Sequence, residues 1–259
     1  MPGLSSGIRI VCRVSQLANE KALADIIVLA SLPLGLREEV SCLSEVLLNE
    51  HHYIAVGTAL LPEDEDVDLV YEENASPAKE GRLLLLDPVH DRSAGTWTLE
   101  ISAELKTVGA VNDITVIHEF LAYAAASKVS IMKYEDDVLT ELSNFSSTFI
   151  AHSLFTAPPS KYQAEEKLIV GDGMRSVLML EVDDESGMIY GDDRDMATHQ
   201  VVALAGIKDR GQGVVVADVS YSDFAVVQAN STGLFQYPDI PPKGQDRTSS
   251  HIRSTRTNR

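Results

Sequence analysis

Residues 171–176 read Gly-Asp-Gly-Met-Arg-Ser, two close glycines followed by a base and a hydroxyl, the ingredients of a phosphate-cradling loop. The spacing argues against that chemistry. A nucleotide-binding P-loop needs Gly, four residues, then Gly-Lys-Ser/Thr, opening a helix whose first amides hold phosphate. Here Gly171 and Gly173 run into Met174, Arg175, Ser176 and then the strand-like Val-Leu-Met-Leu. A dinucleotide loop would need a third glycine at 176, which is serine. The expectation is a turn between two strands.

Other chemistry-bearing residues fare no better. Glu63–Asp68 (EDEDVD) lacks the central glycine and closing glutamate of a calcium loop. Asp192–Asp195 (DDRD) reads as surface acid. His118-Glu119 lacks the second histidine of a zinc-protease helix, and His51-His52 has no cysteine nearby. His90, His152, His199 and His251 are scattered. No Gly-x-Ser-x-Gly elbow presents a nucleophilic serine. Cys12 and Cys42 are too few for a disulfide framework and read as two reduced thiols. No catalytic, metal-binding or cofactor-binding residue is assigned, and the binding residues are left unknown.

The elements that would position such groups are short strands. Apolar runs of four to six residues, rich in Val, Ile and Leu, alternate with turn residues and acidic clusters. The one helix candidate, Gln16–Ala30, reads equally well as strand in its second half. Three segments repeat: Leu121–Tyr134, Leu168–Leu180 and Val214–Val227. Each is a strand, a short turn and a strand, with Val129 and Val177 at a spacing of 48 and Asp172 and Asp218 at 46. A fourth copy, Tyr53–Thr58 with Gly81–Leu86, is split by a 20-residue acidic insert, read as a solvated loop. A period near 45 residues with four short strands per unit marks a β-propeller. The lone Trp97 is followed by Thr, so the blades are not of the ordinary WD type.

Charge and composition narrow the function classes. The net charge of −18 disfavours a broad nucleic-acid-binding face. The last 18 residues carry +4, leaving −22 on residues 1–241. The N-terminus has no long apolar core of a signal peptide, and no apolar run is long enough to span a bilayer. The expectation is a soluble, acidic, intracellular protein.

The string LIVGDGMRSVLML (Leu168–Leu180) resembles a strand hairpin of a large multi-propeller family. That family contains the UV-damaged DNA-binding protein large subunit, the cleavage and polyadenylation specificity factor A subunit and a large splicing factor 3b subunit. YIAVGTALLPED, an acidic insert and EGRLLLLD are similar to the family's Gly-Thr and Gly-Arg strands, and VVVADVSYSDFAVVQ to the next hairpin. Gly171-Asp172 and Met174-Arg175-Ser176 look most like the UV-damage branch.

The resemblance implies an all-β fold, a partial propeller of about four to five four-stranded antiparallel blades. Its parts would be residues 1–24 of unassigned structure, a propeller at 25–229 and a disordered basic tail at 230–259. It further implies a non-enzymatic nuclear scaffold without cofactors. Its partners would be other protein subunits, in a cullin-RING ubiquitin ligase and DNA repair or, alternatively, in mRNA cleavage, polyadenylation or splicing, where nucleic acid contact could be indirect. Family members are longer, so the chain looks like part of the last propeller, offering one wall of a protein-binding cleft.

Overall fold

The structure is a computed structural model. It describes residues 7–14, 25–61, 78–146, 148–159, 165–174, 176–194, 200–207, 213–218, 223–229 and 235–236. Every regular element among them is a β-strand. The strand half of the Gln16–Ala30 stretch is therefore observed, while residues 15–24 lie outside the described residues.

Four antiparallel sheets of four strands follow one another along the chain. The first blade is β3 (Glu38–Leu48), β4 (His51–Leu60), β5 (Glu80–Asp91) and β6 (Thr96–Val108). The second is β7 (Val111–Ile117), β8 (Phe120–Ala125), β9 (Lys128–Glu135) and β10 (Val138–Phe145). The third is β11 (Ala151–Ala157), β12 (Lys167–Asp172), β13 (Ser176–Val182) and β14 (Ile189–Arg194). The fourth is β15 (Val201–Ile207), β16 (Gly213–Asp218), β17 (Asp223–Ala229) and β18 (Phe235–Gln236). Ahead of them β1 (Gly7–Val14) pairs with β2 (Asp25–Pro33) as a two-stranded sheet. β1 falls in the segment that the sequence left unassigned.

The first strands β3, β7, β11 and β15 touch in succession, and the fourth strands β6, β10 and β14 do the same on the outside. This radial stacking is a partial β-propeller. The second and third strands lie between neighbouring blades. All six residues of β8 and of β12 are accordingly buried, so these strands read as unbroken apolar runs. The repeats seen in the sequence are these central pairs: β4–β5, β8–β9, β12–β13 and β16–β17. The insert at 62–77 lies outside the described residues, but β4 and β5 pair across it.

Each interface owns one apolar cluster. Ala55, Leu83 and Leu85 meet Ile114, Leu121 and Met132 between the first two blades. Ala122, Ala124 and Ile131 meet Leu154, Leu168 and Leu178 in the next. Ile169, Val177 and Met179 meet Val201 in the third. Ile8 of β1 meets Val56, Leu84 and Leu86 of the first blade.

A repeated device locks these interfaces. Each first strand opens with a β-bulge, between Val40 and Cys42, Val111 and Asp113, Ala151 and Ser153, and Val201 and Ala203. The residue after each bulge pairs with a small residue of the second strand: Gly57, Ala124, Gly171 and Ala217. At two interfaces the residue before the bulge reaches back over the small residue of the preceding blade. A Cβ built on Gly57 would fall 2.7 Å from Val111 Cβ, and one on Gly171 2.5 Å from Val201 Cγ1. Valine is thus a knob, and the glycine beneath it a socket. The structural counterpart of Gly171 is Ala124, one residue beyond the Tyr123 that counting back from Val129 selects, because the β8–β9 turn is one residue shorter.

Candidate interaction surface

The Gly171–Ser176 turn is structural. The Gly173 amide donates to the Ile150 carbonyl at 2.9 Å. The buried Asp172 carboxylate accepts from the amides of Met174 and Phe149, each at 2.9 Å. The turn's amides are spent on tying the third blade to the linker that enters it. Arg175 lies outside the described residues.

Polar groups elsewhere on the inner strands serve the same purpose. Asp113 accepts from its neighbour Ile114 N at 2.8 Å and, across the interface, from Leu154 N at 2.7 Å. Burial raises its pKa against the pull of those two amides. Burial beside the Asp113 charge pushes the Cys42 thiol up to about 12. That thiol faces the Val111 carbonyl at 3.4 Å, so Cys42 is an inert core group. The side chain of Cys12 lies outside the described residues.

Glu38 is the most buried acid of the first blade. Burial alone would raise its pKa; hydrogen bonds from Arg82 and Thr58 outweigh burial and hold it below the usual carboxylate range. Arg82 also reaches Glu104 at 3.0 Å, and these bonds raise the guanidinium pKa.

The histidines are dispersed. His118, at φ 53°, donates its amide to Glu166 at 2.7 Å, and its ring nitrogen lies 3.2 Å from the Val182 carbonyl. His51 pairs with Asp87 at 3.2 Å and His52 with Glu45 at 3.0 Å. His90 stacks on Trp97, and His152 is exposed on β11. Asp192–Arg194 form part of β14, while Asp195, His199 and His251 lie outside the described residues. Among the described residues no group of His, Cys, Asp or Glu is arranged to hold a metal ion.

What remains is surface, and the two ends of the blades differ. One end carries the β3–β4, β7–β8, β9–β10 and β13–β14 turns. It is acidic, with Glu50, Glu119, Asp136, Asp137, Asp184 and Glu185 exposed. Its tightest turns, Asn49-Glu50 and Asp136-Asp137, hold both central residues at positive φ, as hairpins matched to strand twist require.

The opposite end carries the β4–β5, β8–β9 and β12–β13 turns and the interblade linkers. Leu36, Val108, Phe149 and Met174 stand exposed there, two with the first blade and two with the third. Their sequence signal was weak, because single apolar residues in turns look the same whether or not they share an edge. An apolar row at one end of a rigid stack of sheets can bind another protein, and it brings no reactive group with it.

A search of curated proteins returns no match. The sequence model described as the CPSF A subunit region matches residues 15–256. The match takes in every complete blade and most of the basic tail. The chain belongs to the CPSF A subunit region family.

Proposed function

We propose that the chain is a non-enzymatic propeller scaffold that binds other protein subunits in the nucleus. Members of the family are generally non-catalytic scaffolds working as subunits of multiprotein complexes. The observation that carries this reading here is the exposed row Leu36, Val108, Phe149 and Met174 on one end of the blades. The likeness of the Gly171–Ser176 turn to the UV-damage branch supports an adaptor role in a cullin-RING ubiquitin ligase and DNA repair.

The test is affinity capture with the full chain, comparing the native sequence with a Phe149→Asp, Met174→Asp variant. Both side chains are about half exposed, and circular dichroism checks that the variant keeps the parent's fold. Recovery of ligase or repair subunits with the native chain, lost with the variant, supports the reading. Recovery of cleavage, polyadenylation or splicing subunits instead assigns the chain to the RNA-processing branches. Identical recovery by both proteins removes the apolar row from the binding surface.

A further inference from the structure

The first and second blade interfaces differ at two equivalent positions. Leu83 and Val129 hold the same place in their blades, opposite Gly57 and Ala124. Across from them on the fourth strands stand Leu105 and Phe145. Phe145 therefore holds in the second blade the place of Leu105 in the first. One residue beyond Val129 and its counterpart Val177, the third strands turn Ser130 and Leu178 toward the preceding blade. Phe145 and Leu178 both pack in the cluster that closes the second interface. The first interface has a leucine and a serine instead.

That exchange leaves a gap. A cavity of about 420 Å³ lies between β6 and β8–β10, lined by Leu105, Tyr123, Met132 and Leu139 together with the part-exposed Lys128 and Glu141. Both of its walls are complete four-stranded blades. Natural ligand sites span about 300–1,000 Å³. Val108, 84% exposed, lies at its edge. Ser130 shares a face of β9 with Lys128 and Met132 and is wholly buried. Its hydroxyl faces the Glu141 carboxylate but makes no hydrogen bond among the described residues. Lys128 meets the two oxygens of Glu141 at 2.9 and 2.8 Å, and Asn144 donates to the same carboxylate at 2.7 Å. These charges already satisfy each other, so the cavity calls for an uncharged guest.

We propose that this cavity binds the tyrosine side chain of a partner polypeptide. The ring fills the space that Phe145 and Leu178 fill one interface on. Its hydroxyl shares a hydrogen bond with Ser130, which a purely apolar guest would leave unsatisfied. The polypeptide source rests on the scaffold reading, because Val108 joins the cavity to the exposed row. The preference for a phenol rests on the cavity alone.

Saturation-transfer NMR on the full chain reads the binding of p-cresol, toluene and the peptide acetyl-Ala-Tyr-Ala-amide. The expected result is saturable binding of p-cresol and of the peptide. Toluene should bind about tenfold more weakly, as the loss of one hydrogen bond predicts. Ser130→Ala should bring p-cresol down to the level of toluene. Leu105→Phe should abolish all three and raise the melting temperature, because it rebuilds the packing of the second interface. Circular dichroism checks each fold, and Ser130→Ala decides alone if Leu105→Phe unfolds the chain. No saturable transfer from p-cresol, equal binding of p-cresol and toluene, no effect of Ser130→Ala, or undiminished binding by a folded Leu105→Phe protein would each overturn the proposal. Binding of p-cresol without the peptide makes the guest a free phenol and overturns the polypeptide assignment. Leu105→Phe leaves Phe149 and Met174 in place, so affinity capture through the exposed row separates failure of this site from failure of the scaffold reading.

Discussion

Gly171→Ala tests the knob-and-socket account most directly. Gly171 lies in β12 without a positive φ, so alanine meets no backbone strain there. The obstacle is space. The new Cβ would sit 2.5 Å from Val201 Cγ1 and 3.1 Å from Val201 Cβ, with Ser153 Oγ closer still. The Ser153 hydroxyl makes no hydrogen bond among the described residues, so it can turn away. Val201 is held by the next blade, so the third and fourth blades must part or the valine must leave its rotamer. Overpacking of this kind costs about 1–3 kcal/mol, or about 2–12 °C in melting temperature for a chain of this size.

Val201→Ala alone should cost about 1–2 kcal/mol for its lost buried methyl groups. The double variant should cost less than the sum by about 1 kcal/mol, because removing the Val201 methyls takes away the Cγ1 that the new Cβ would strike. Urea unfolding of the four proteins, followed by circular dichroism, closes the cycle. A Gly171→Ala protein as stable as the parent, or strictly additive effects, would refute the socket reading.

Val177→Ala should cost about 1–3 kcal/mol, since this side chain is wholly buried in the third interface; an unchanged urea midpoint would remove it from the core. Arg82→Met should cost about 1.5–3 kcal/mol at pH 7 by stripping the buried Glu38 of its charged partner. In the parent, Glu38 is held low, so its contribution is present above the ordinary pKa of 4.5 and lost as pH falls below it. In the variant, burial prevails and protonation relieves it, so the gap between the two midpoints should narrow from pH 7 to pH 4.5. In a Cys12→Ser background, Cys42 with its pKa near 12 exposes about one thiolate in ten thousand at pH 8. Disulfide-exchange reagents should label it only after denaturant is added, and rapid labelling of the native protein would contradict its placement.

The central strands of each blade were legible because both their faces are covered. Leu121–Ala125 and Leu168–Val170 read as continuous apolar runs, and their recurrence exposed the period. The outer strands were not. β10 (VLTELSNF) and β14 (IYGDDR) meet solvent on the outside, and their mixed composition matches that of loops. β1 escaped because its eight residues have no partner repeat in the chain. Gly171 was legible as a turn-flanking glycine, but its reason, the valine of the next blade, lies 30 residues away and needs the fold. The apolar row Leu36, Val108, Phe149 and Met174 joins residues up to 138 positions apart, and only the stacking of blades brings them to one end.

The knobs and sockets all point the same way along the chain, so every blade is a vector and the stack has a head and a tail. Unlike faces that fit each other join head to tail and do not cancel in pairs. Copies stacking through them would lengthen into a fibre, each addition leaving the same two faces open. The half-blade of β1 and β2 occupies the outer half of the head, where an incoming fourth blade would have to place β17 and β18. The outer half of that face is already covered, so a whole incoming blade would have to displace β1 and β2 to seat there.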